Sequence, residues 1–125
     1  MADIVTVNEG PNITVTATAG VTPSRGHRLT MASDGTVGLA GIGITGEYVA
    51  LYDFPTSGAT ETARMLNAQG TQVLKTTAAA VAVGDSVYSA ASGVVSNTST
   101  NAVLIGIART AIGSGGGLIV VAPTF

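Results

Sequence analysis

Alternating apolar and polar residues run through most of this chain and predict short β-strands. In Ile13–Thr18, apolar side chains fall on one face and threonines on the other, which is typical of a half-buried strand. Glycine-containing turns separate such segments, as at Asp34-Gly35 and Ala91-Ser92-Gly93. Only Thr60–Ala68 also fits a helix, and it fits a strand almost as well. The predicted strands are Asp3–Val7, Ile13–Thr18, Arg28–Ala32, Thr36–Ala40, Glu47–Phe54, Ser86–Ala90, Val94–Asn97, Ala102–Ala108 and Leu118–Ala122.

The number and spacing of these strands indicate the fold class. Eight or nine short strands, with turns about every ten residues, predict an all-β fold, either a small barrel or a sandwich. Gly10-Pro11, Gly20 and Pro23 interrupt the first thirty residues. We therefore predict an extended N-terminal arm over residues 1–30 and a β-rich domain over residues 31–125. Both halves alternate strands with glycine turns, but no internal repeat is convincing in the sequence.

The composition predicts that much of the surface is covered in an assembly. Charged residues make up 10% of the 125 residues, against about 25% in ordinary globular domains. Four of the five cations are arginines and Lys75 is the single lysine, a bias that is typical of protein interfaces. We expect a subunit covered by its own copies or by a partner. The alternative is a threonine- and serine-rich β-protein that is kept in solution by its hydroxyl groups.

Charge and hydropathy also limit the partners. The net charge of −2 provides no basic field that would attract nucleic acid or an anionic membrane. The first residues do not combine a basic segment with an apolar one, and no apolar run approaches the roughly 20 residues that a membrane helix needs. We therefore expect neither a secretory signal nor a membrane partner.

The residues that most enzymes need are scarce or wrongly spaced. Cysteine is absent and His27 is the only histidine, which excludes thiolate chemistry and leaves no metal-ligand spacing. Gly41–Gly46 matches the dinucleotide-binding pattern G-x-G-x-x-G, but a strand pattern follows where a helix should begin. We interpret it as a glycine-bent strand or a bulge. No serine lies in a G-x-S-x-G elbow. We predict that the protein is not an enzyme and has no catalytic residue, cofactor or metal.

Ser24–Arg28 is the only basic cluster in the chain. Arg25, His27 and Arg28 lie within four residues, and such a group can contact a phosphate or an acidic protein surface. A solvated loop is the simpler interpretation. Nucleic-acid binding is not expected, because the chain offers neither a wider basic face nor stacking aromatic residues beside the cluster.

An ordered series of motifs in the C-terminal half carries a family resemblance. An apolar run leads into Gly84-Asp85-Ser86-Val87-Tyr88, and a hairpin follows at Ser92–Val95. Next come Ile105-Gly106-Ile107-Ala108 and a last apolar strand at Gly117–Val121. In order and spacing, Gly46–Phe125 resembles small bacteriophage capsid decoration (cement) proteins. The first forty-five residues do not align with that family.

The resemblance implies an all-β structural protein of the virion. Such proteins are usually trimers on the outside of icosahedral heads, at three-fold positions, where they clamp neighbouring major capsid subunits. The implied partners are the chain itself, as a homotrimer, and the major capsid protein. The implied location is the outer capsid surface, after a stage in the host cytoplasm. Residues 31–125 would form the decoration domain, and the arm would add a strand to a neighbouring sheet edge. The residues expected to contact the capsid or a sister subunit are Ile4, Val5, Val7, Ile13, Val15, Arg25, His27 and Arg28.

Two other functions stay open on the sequence alone. A head-fibre, tail or other virion structural module would share the same β-rich composition. A small-ligand-binding β-barrel would need a concave pocket with converging polar groups. Tyr48 and Tyr52 fall on the same face of one predicted strand. A pocket lined by both would favour a ligand, whereas a flat face would favour assembly.

Overall fold

The structure of the chain, a computed structural model, describes residues 12–125, which form ten β-strands and one short 3-10 turn. The strands are short because glycine, proline and polar turns punctuate the sequence. No helix in this range is long and apolar enough to cross a membrane. The elements are β1 (Asn12–Thr16), β2 (Arg28–Met31), β3 (Val37–Leu39), β4 (Tyr48–Ala50), β5 (Thr60–Met65), β6 (Gln72–Lys75), β7 (Ser86–Ser89), the 3-10 turn (Ala91–Gly93), β8 (Val95–Ser96), β9 (Leu104–Ala108) and β10 (Leu118–Pro123).

These strands form two antiparallel sheets, and each sheet comes from one half of the chain. The N-terminal sheet has the order β1-β5-β4-β2-β3. The C-terminal sheet has the order β6-β10-β9-β7-β8. The predicted all-β fold class is therefore confirmed. The predicted hairpin turns at Asp34-Gly35 and at Ala91-Ser92-Gly93 connect β2 to β3 and β7 to β8.

The two sheets repeat one topology within residues 12–125. When the strands of each half are numbered along the chain, their order across the sheet is first, fifth, fourth, second and third in both halves. The register of the ladders repeats as well: Met31 pairs with Val37, and the residues 58 positions later, Ser89 and Val95, also pair. The β4–β5 and β9–β10 ladders correspond at the same offset. The described chain therefore consists of two equivalent five-stranded units.

Each sheet curls until its first strand approaches its third. Ala17, just after β1, forms a parallel bridge with Val37 in β3. Thr76, just after β6, forms the corresponding bridge with Val95 in β8. The Thr18 N–H donates to the Val37 carbonyl at 2.9 Å, which extends the first of these contacts. The bridges cover parts of sheet edges that would otherwise present unpaired backbone groups.

Mostly aliphatic side chains fill two hydrophobic clusters, in agreement with the low aromatic content. Val49 in β4 and Leu66 after β5 belong to the N-terminal unit but pack in the cluster of the C-terminal unit. The two units therefore share part of a core. The N-terminal cluster contains Val15, Ala17, Leu29, Val37, Ala50, Phe54 and Ala63; the C-terminal cluster contains Val49, Leu66, Leu74, Val81, Val87, Val95, Ile105, Ala108, Ile119 and Val121.

Part of the predicted arm lies inside the N-terminal sheet. β1 pairs with β5 along its length, from Asn12 opposite Arg64 to Thr16 opposite Thr60. β2 begins at Arg28 and lies between β3 and β4. Residues 12–30 therefore contribute all of β1 and most of β2 to the sheet. The rest of the predicted arm, residues 1–11, lies outside the described residues.

Two other segments differ from their predicted elements. Thr60–Ala68, which fits both a helix and a strand, contains strand β5, because β1 and β4 pair with it on both sides. Glu47–Phe54 forms a strand only at β4. Beyond β4 the Asp53 carboxylate accepts a hydrogen bond from the Arg25 N–H at 2.8 Å. This bond joins the segment after β4 to the turn before β2.

Candidate functional site

Arg28 lies inside the protein, between the two units. Its side chain has no exposed surface, and its guanidinium donates to five backbone carbonyl oxygens. Three of these carbonyls belong to the β3–β4 connection, and two flank the 3-10 turn of the other unit. Nη2 lies 2.8 Å from the Ala90 oxygen and 2.9 Å from the Val94 oxygen. The five acceptors are the carbonyls of Ala40, Ile44, Thr45, Ala90 and Val94.

This environment keeps the guanidinium charged and unavailable to a partner. Burial lowers the pKa of Arg28 to about 10, which leaves the group protonated at neutral pH. The carbonyl dipoles replace the water that the charge would otherwise require. The expectation that Arg28 contacts a capsid or sister subunit is therefore corrected. Its side chain joins the two units of its own chain.

Gly93 brings the 3-10 turn against Arg28. A Cβ at Gly93 would lie 2.9 Å from the Arg28 carbonyl oxygen, and its φ of +77° is one that glycine adopts without strain. The Gly93 N–H donates to the Ala40 carbonyl at 2.8 Å. Gly93 and Arg28 together fix the hairpin of the C-terminal unit on the N-terminal unit.

Gly41–Gly46 forms a loop between β3 and β4, not the bent strand or bulge expected from the sequence. The reason is the buried charge nearby: the carbonyls of Ile44 and Thr45 turn inward to accept hydrogen bonds from Arg28. A phosphate-binding loop presents N–H groups to its ligand at a helix N-terminus. Here strand β4 follows, and carbonyl oxygens face a cation of the same chain.

Arg25 and His27 shape the turn that precedes β2. His27 Nδ1 accepts a hydrogen bond from the Ser24 N–H at 3.0 Å, and Lys75 Nζ donates to the Ser24 hydroxyl at 3.1 Å. Burial, followed by the positive charge of Lys75, lowers the pKa of His27. Among the three basic residues of the cluster, Arg25 is exposed, His27 is half-buried and Arg28 is buried. Arg25 thus offers the most accessible charge of the three.

The turn before β2 has a counterpart in the C-terminal unit. The residue 58 positions after His27 is Asp85, whose Oδ2 accepts from the Ala82 N–H at 2.9 Å. The His27 side chain makes the same bond, to the amide three residues before it. Gly84-Asp85 is part of the motif that carries the family resemblance. The basic cluster is therefore the counterpart of that motif in the N-terminal unit.

Two aspartates within residues 12–125 hold turns. The Asp34 carboxylate accepts from the Thr36 N–H at 3.0 Å, and this bond lowers the pKa of Asp34. The bond from Ala82 likewise lowers the pKa of Asp85. Within the same range, no three side chains of His, Asp or Glu group closely enough to hold a metal ion.

The substitution His27→Asp is expected to remove one acid-sensitive contribution to stability. Because burial lowers the pKa of His27, the unfolded chain binds its proton more readily than the folded chain. Wild-type stability should therefore fall as the pH drops below 6.5, the ordinary value, since protonation removes Nδ1 as an acceptor. An aspartate still accepts from Ser24 between about pH 7 and pH 5. Urea unfolding of both proteins at these two pH values measures the difference. An equal loss in both would contradict this role of His27.

The predicted apolar contacts lie partly in the core and partly outside the described residues. Val15 is only 4% exposed and belongs to the N-terminal cluster. Ile13 is half-buried and packs against that cluster. The Val15 side chain is thus taken up by the core of its own sheet, whereas contact of the half-buried Ile13 with a partner stays a prediction. Ile4, Val5 and Val7 lie outside the described residues.

An apolar cleft of about 340 Å³ opens where β4 begins and β5 ends. Met65 and Phe125 line it and are 43% and 57% exposed. Tyr48 and Leu66 also contribute to its wall. The only charged residue in its lining is Glu47, and the carboxylate of Glu47 already accepts from the Met31 N–H at 2.7 Å. The cleft therefore presents mainly apolar surface.

The two tyrosines do not form a shared pocket. Tyr48 lines the cleft, whereas Tyr52 lies beyond the end of β4, is 58% exposed and is not part of the lining. The alternation that placed both on one face stops when the strand stops. The sequence pattern does not identify Met65 and Phe125 as lining a cleft. Met65 lies in the segment that fits both a helix and a strand, and Phe125 follows the last predicted strand.

Comparison with known proteins gives one matching family model and a similar fold. The model described as phage cement protein matches residues 7–123. No curated protein matches the chain. Among solved structures, the head fiber gp8.5 N base of bacteriophage phi29 is similar, with a TM-score of 0.70 and 18% sequence identity. The match covers 90% of this chain and 94% of that chain. At this identity the similarity shows a shared fold.

Proposed function

This chain belongs to the phage cement protein family, and on that premise we propose that it stabilises an icosahedral phage head from the outside. It is a structural protein of the phage virion. In the proposed role it bridges neighbouring major capsid subunits and holds them together. The observation that carries the proposal is the family match over residues 7–123, which includes both five-stranded units.

The way the two units are joined supports a bridging role. Arg28 and Gly93 connect them through hydrogen bonds, and Val49 and Leu66 extend the shared core. A body whose halves are joined by buried hydrogen bonds and a shared core can transmit force between the subunits that it bridges. Burial of apolar surface contributes a binding free energy of about 25 cal/mol per Å², and the entropy cost of association offsets most of it. The small net binding free energy at each site is repeated at many equivalent sites of one shell.

The proposed assembly is a homotrimer at three-fold positions of the shell. It is supported by the low charge of the chain and by exposed apolar side chains such as Ile42 and Val83. A three-fold axis presents three identical surfaces, which a trimer can engage at once. Light scattering of the purified chain at two concentrations tests the assembly. We expect the mass of a trimer at both; a monomer at both would contradict a trimer in solution.

Electron cryomicroscopy of shells incubated with the protein tests the binding position. We expect added density on the outer surface at the three-fold positions. Density at another outer position would contradict the three-fold placement and retain the stabilising role. Shells without added density, at saturating protein, would contradict the proposed function.

A head-fibre base is the second candidate function. The fold similarity to the head fiber gp8.5 N base supports it, because the match covers nearly all of both chains. The two roles predict different placements of the protein on the virion. A cement protein lies against the shell and contacts several capsid subunits, whereas a fibre base carries a projecting structure. The same images distinguish them by the height of the added density and by the number of capsid subunits it contacts.

Deletion of Met1–Glu9 is expected to abolish shell binding and to leave the fold intact. Ile4, Val5 and Val7 are the apolar residues proposed to add a strand to a capsid sheet edge. The first described strand starts at Asn12, so the deletion leaves every described strand complete. Sedimentation with shells measures binding, and the thermal midpoint measures folding.

Deletion of Met1–Asp3 is the matched control, since it shortens the chain but keeps the three apolar residues. It is expected to bind shells like the intact chain. Binding of the longer deletion at wild-type strength would rule out a role for these residues at the capsid. A deletion that extends to Gly20 is unsuitable, because it removes β1 and the core residues Val15 and Ala17.

A further inference from the structure

The apolar cleft at the end of the N-terminal sheet has no partner among the described residues. Its walls include Met65 and Phe125, both strongly exposed, and the half-buried Tyr48. The carboxylate of Glu47, at its rim, is held by the Thr30 hydroxyl and the Met31 N–H. Exposed apolar surface with a concave shape marks a binding site, and nothing here suits a charged ligand.

The path of β1 leads directly to this cleft. β1 is antiparallel to β5, and its first residue, Asn12, lies opposite Arg64. The next residue of β5 is Met65, in the cleft wall. The residues that precede Asn12 therefore join the described chain beside the cleft. Four residues separate Val7 from Asn12, so Val7 is within roughly 17 Å of Asn12 at full extension.

The chemistry of the preceding segment matches that of the cleft. Ile4–Val7 reads Ile-Val-Thr-Val and carries no charge. Three apolar side chains in four residues can cover Tyr48, Met65 and Phe125, and burying apolar side chains favours this contact. A segment tethered next to its site is also present at a high effective concentration.

We infer that Ile4–Val7 occupies the cleft of its own chain in the free protein. This inference concerns the isolated protein and does not rest on the proposed function. It gives the segment a binding place on its own chain, separate from any place on a capsid. The tether favours the same chain over a second copy, because the segment starts beside the cleft that it fills.

Disulfide formation between introduced cysteines tests this placement, since the chain has no cysteine of its own. The test protein is the full chain with Val5→Cys and Asn67→Cys, where Asn67 is an exposed residue of the cleft lining. The control pairs Val5→Cys with Gln69→Cys. Gln69 is also exposed, and its carbonyl accepts a hydrogen bond at 2.9 Å from the side chain of Arg64, the residue opposite Asn12 at the start of β1. It does not line the cleft.

We expect the Asn67 pair to form an intrachain disulfide about tenfold faster than the control pair. Adding Met65→Ser to the Asn67 pair should bring its rate down to that of the control, because it removes apolar contact without touching the cysteines. Equal rates for the two pairs would overturn the inference, since tethering alone would then explain the bond. Disulfide-linked dimers as the main product would also overturn it and would identify a second copy as the occupant.

Discussion

Replacing Arg28 with Met is expected to lower the free energy of unfolding by about 3–5 kcal/mol. The substitution keeps an apolar stem of similar length and removes the guanidinium. The Ala90 carbonyl then loses its donor in a buried place, and the carbonyls of Ile44 and Thr45 lose theirs as well. Each unsatisfied buried group costs about 1–3 kcal/mol. Urea unfolding, followed by circular dichroism, measures the change.

The matched control is Arg25→Met, at an exposed position three residues earlier. It is expected to change the free energy of unfolding by less than about 0.5 kcal/mol. Arg28→Lys should still destabilise the chain, because one ammonium group cannot reach acceptors on both units. If Arg28→Met and Arg25→Met had equally small effects, Arg28 could not be the connection between the units.

Replacing Gly106 with Ala is expected to cost about 3 kcal/mol or to prevent folding. A Cβ at this position would lie 2.8 Å from the Ala122 carbonyl carbon and 2.8 Å from Val121 Cγ1. Ala122 belongs to β10, which pairs with β9 and β6 on its two sides, so its backbone cannot move away without breaking a ladder. The same unfolding measurement, or the yield of folded protein, reports the effect.

Gly38→Ala is the control, because Gly38 also lies in a strand and a Cβ there meets no atom within 4 Å. We expect its free energy of unfolding to stay within about 0.5 kcal/mol of the wild-type value. Gly106 is part of the Ile-Gly-x-Ala motif that carries the family resemblance. A larger loss of stability for Gly106→Ala than for Gly38→Ala would show that the motif needs glycine because two strands approach closely there. Comparable stability of the two variants would exclude this explanation.

The elements that depend on local chemistry were predictable from the sequence. Alternation identified most strands, since a half-buried strand needs one apolar face whatever it pairs with. Glycine, serine and aspartate identified the turns at Asp34-Gly35 and Ala91-Ser92-Gly93. The length of β4 was overestimated, because the strand ends where pairing ends and not where the alternation ends.

The repeat was not predictable, because its units share backbone hydrogen bonds at positions where few side chains match, Val37 and Val95 being one of the few matching pairs. His27 corresponds to Asp85, Arg28 to Ser86 and Tyr48 to Gly106, so the two units look unrelated residue by residue. His27 and Asp85 nevertheless accept the same kind of backbone hydrogen bond. A turn needs an acceptor at that point, and more than one side chain can supply it.

The buried position of Arg28 and the cleft depend on contacts between distant parts of the chain. Every residue has a carbonyl, so no pattern marks those of Ala40 or Val94 as partners of an arginine. The cleft combines Tyr48 and Met65 from one unit with Phe125 from the other. These residues meet because of how the two units pack against each other, and the local sequence pattern holds no information about that packing.

Thermal disruption of shells tests the central claim most directly. Shells of the phage that encodes this chain, prepared without it, are heated with and without the purified protein, and their rupture is followed by light scattering. The Arg25→Met and Met1–Glu9 deletion proteins serve as comparisons. The account predicts that the intact chain binds to saturation and raises the rupture temperature by several degrees, whereas the deletion does not. Saturating binding without any rise in the rupture temperature would contradict the claim that this protein is a cement.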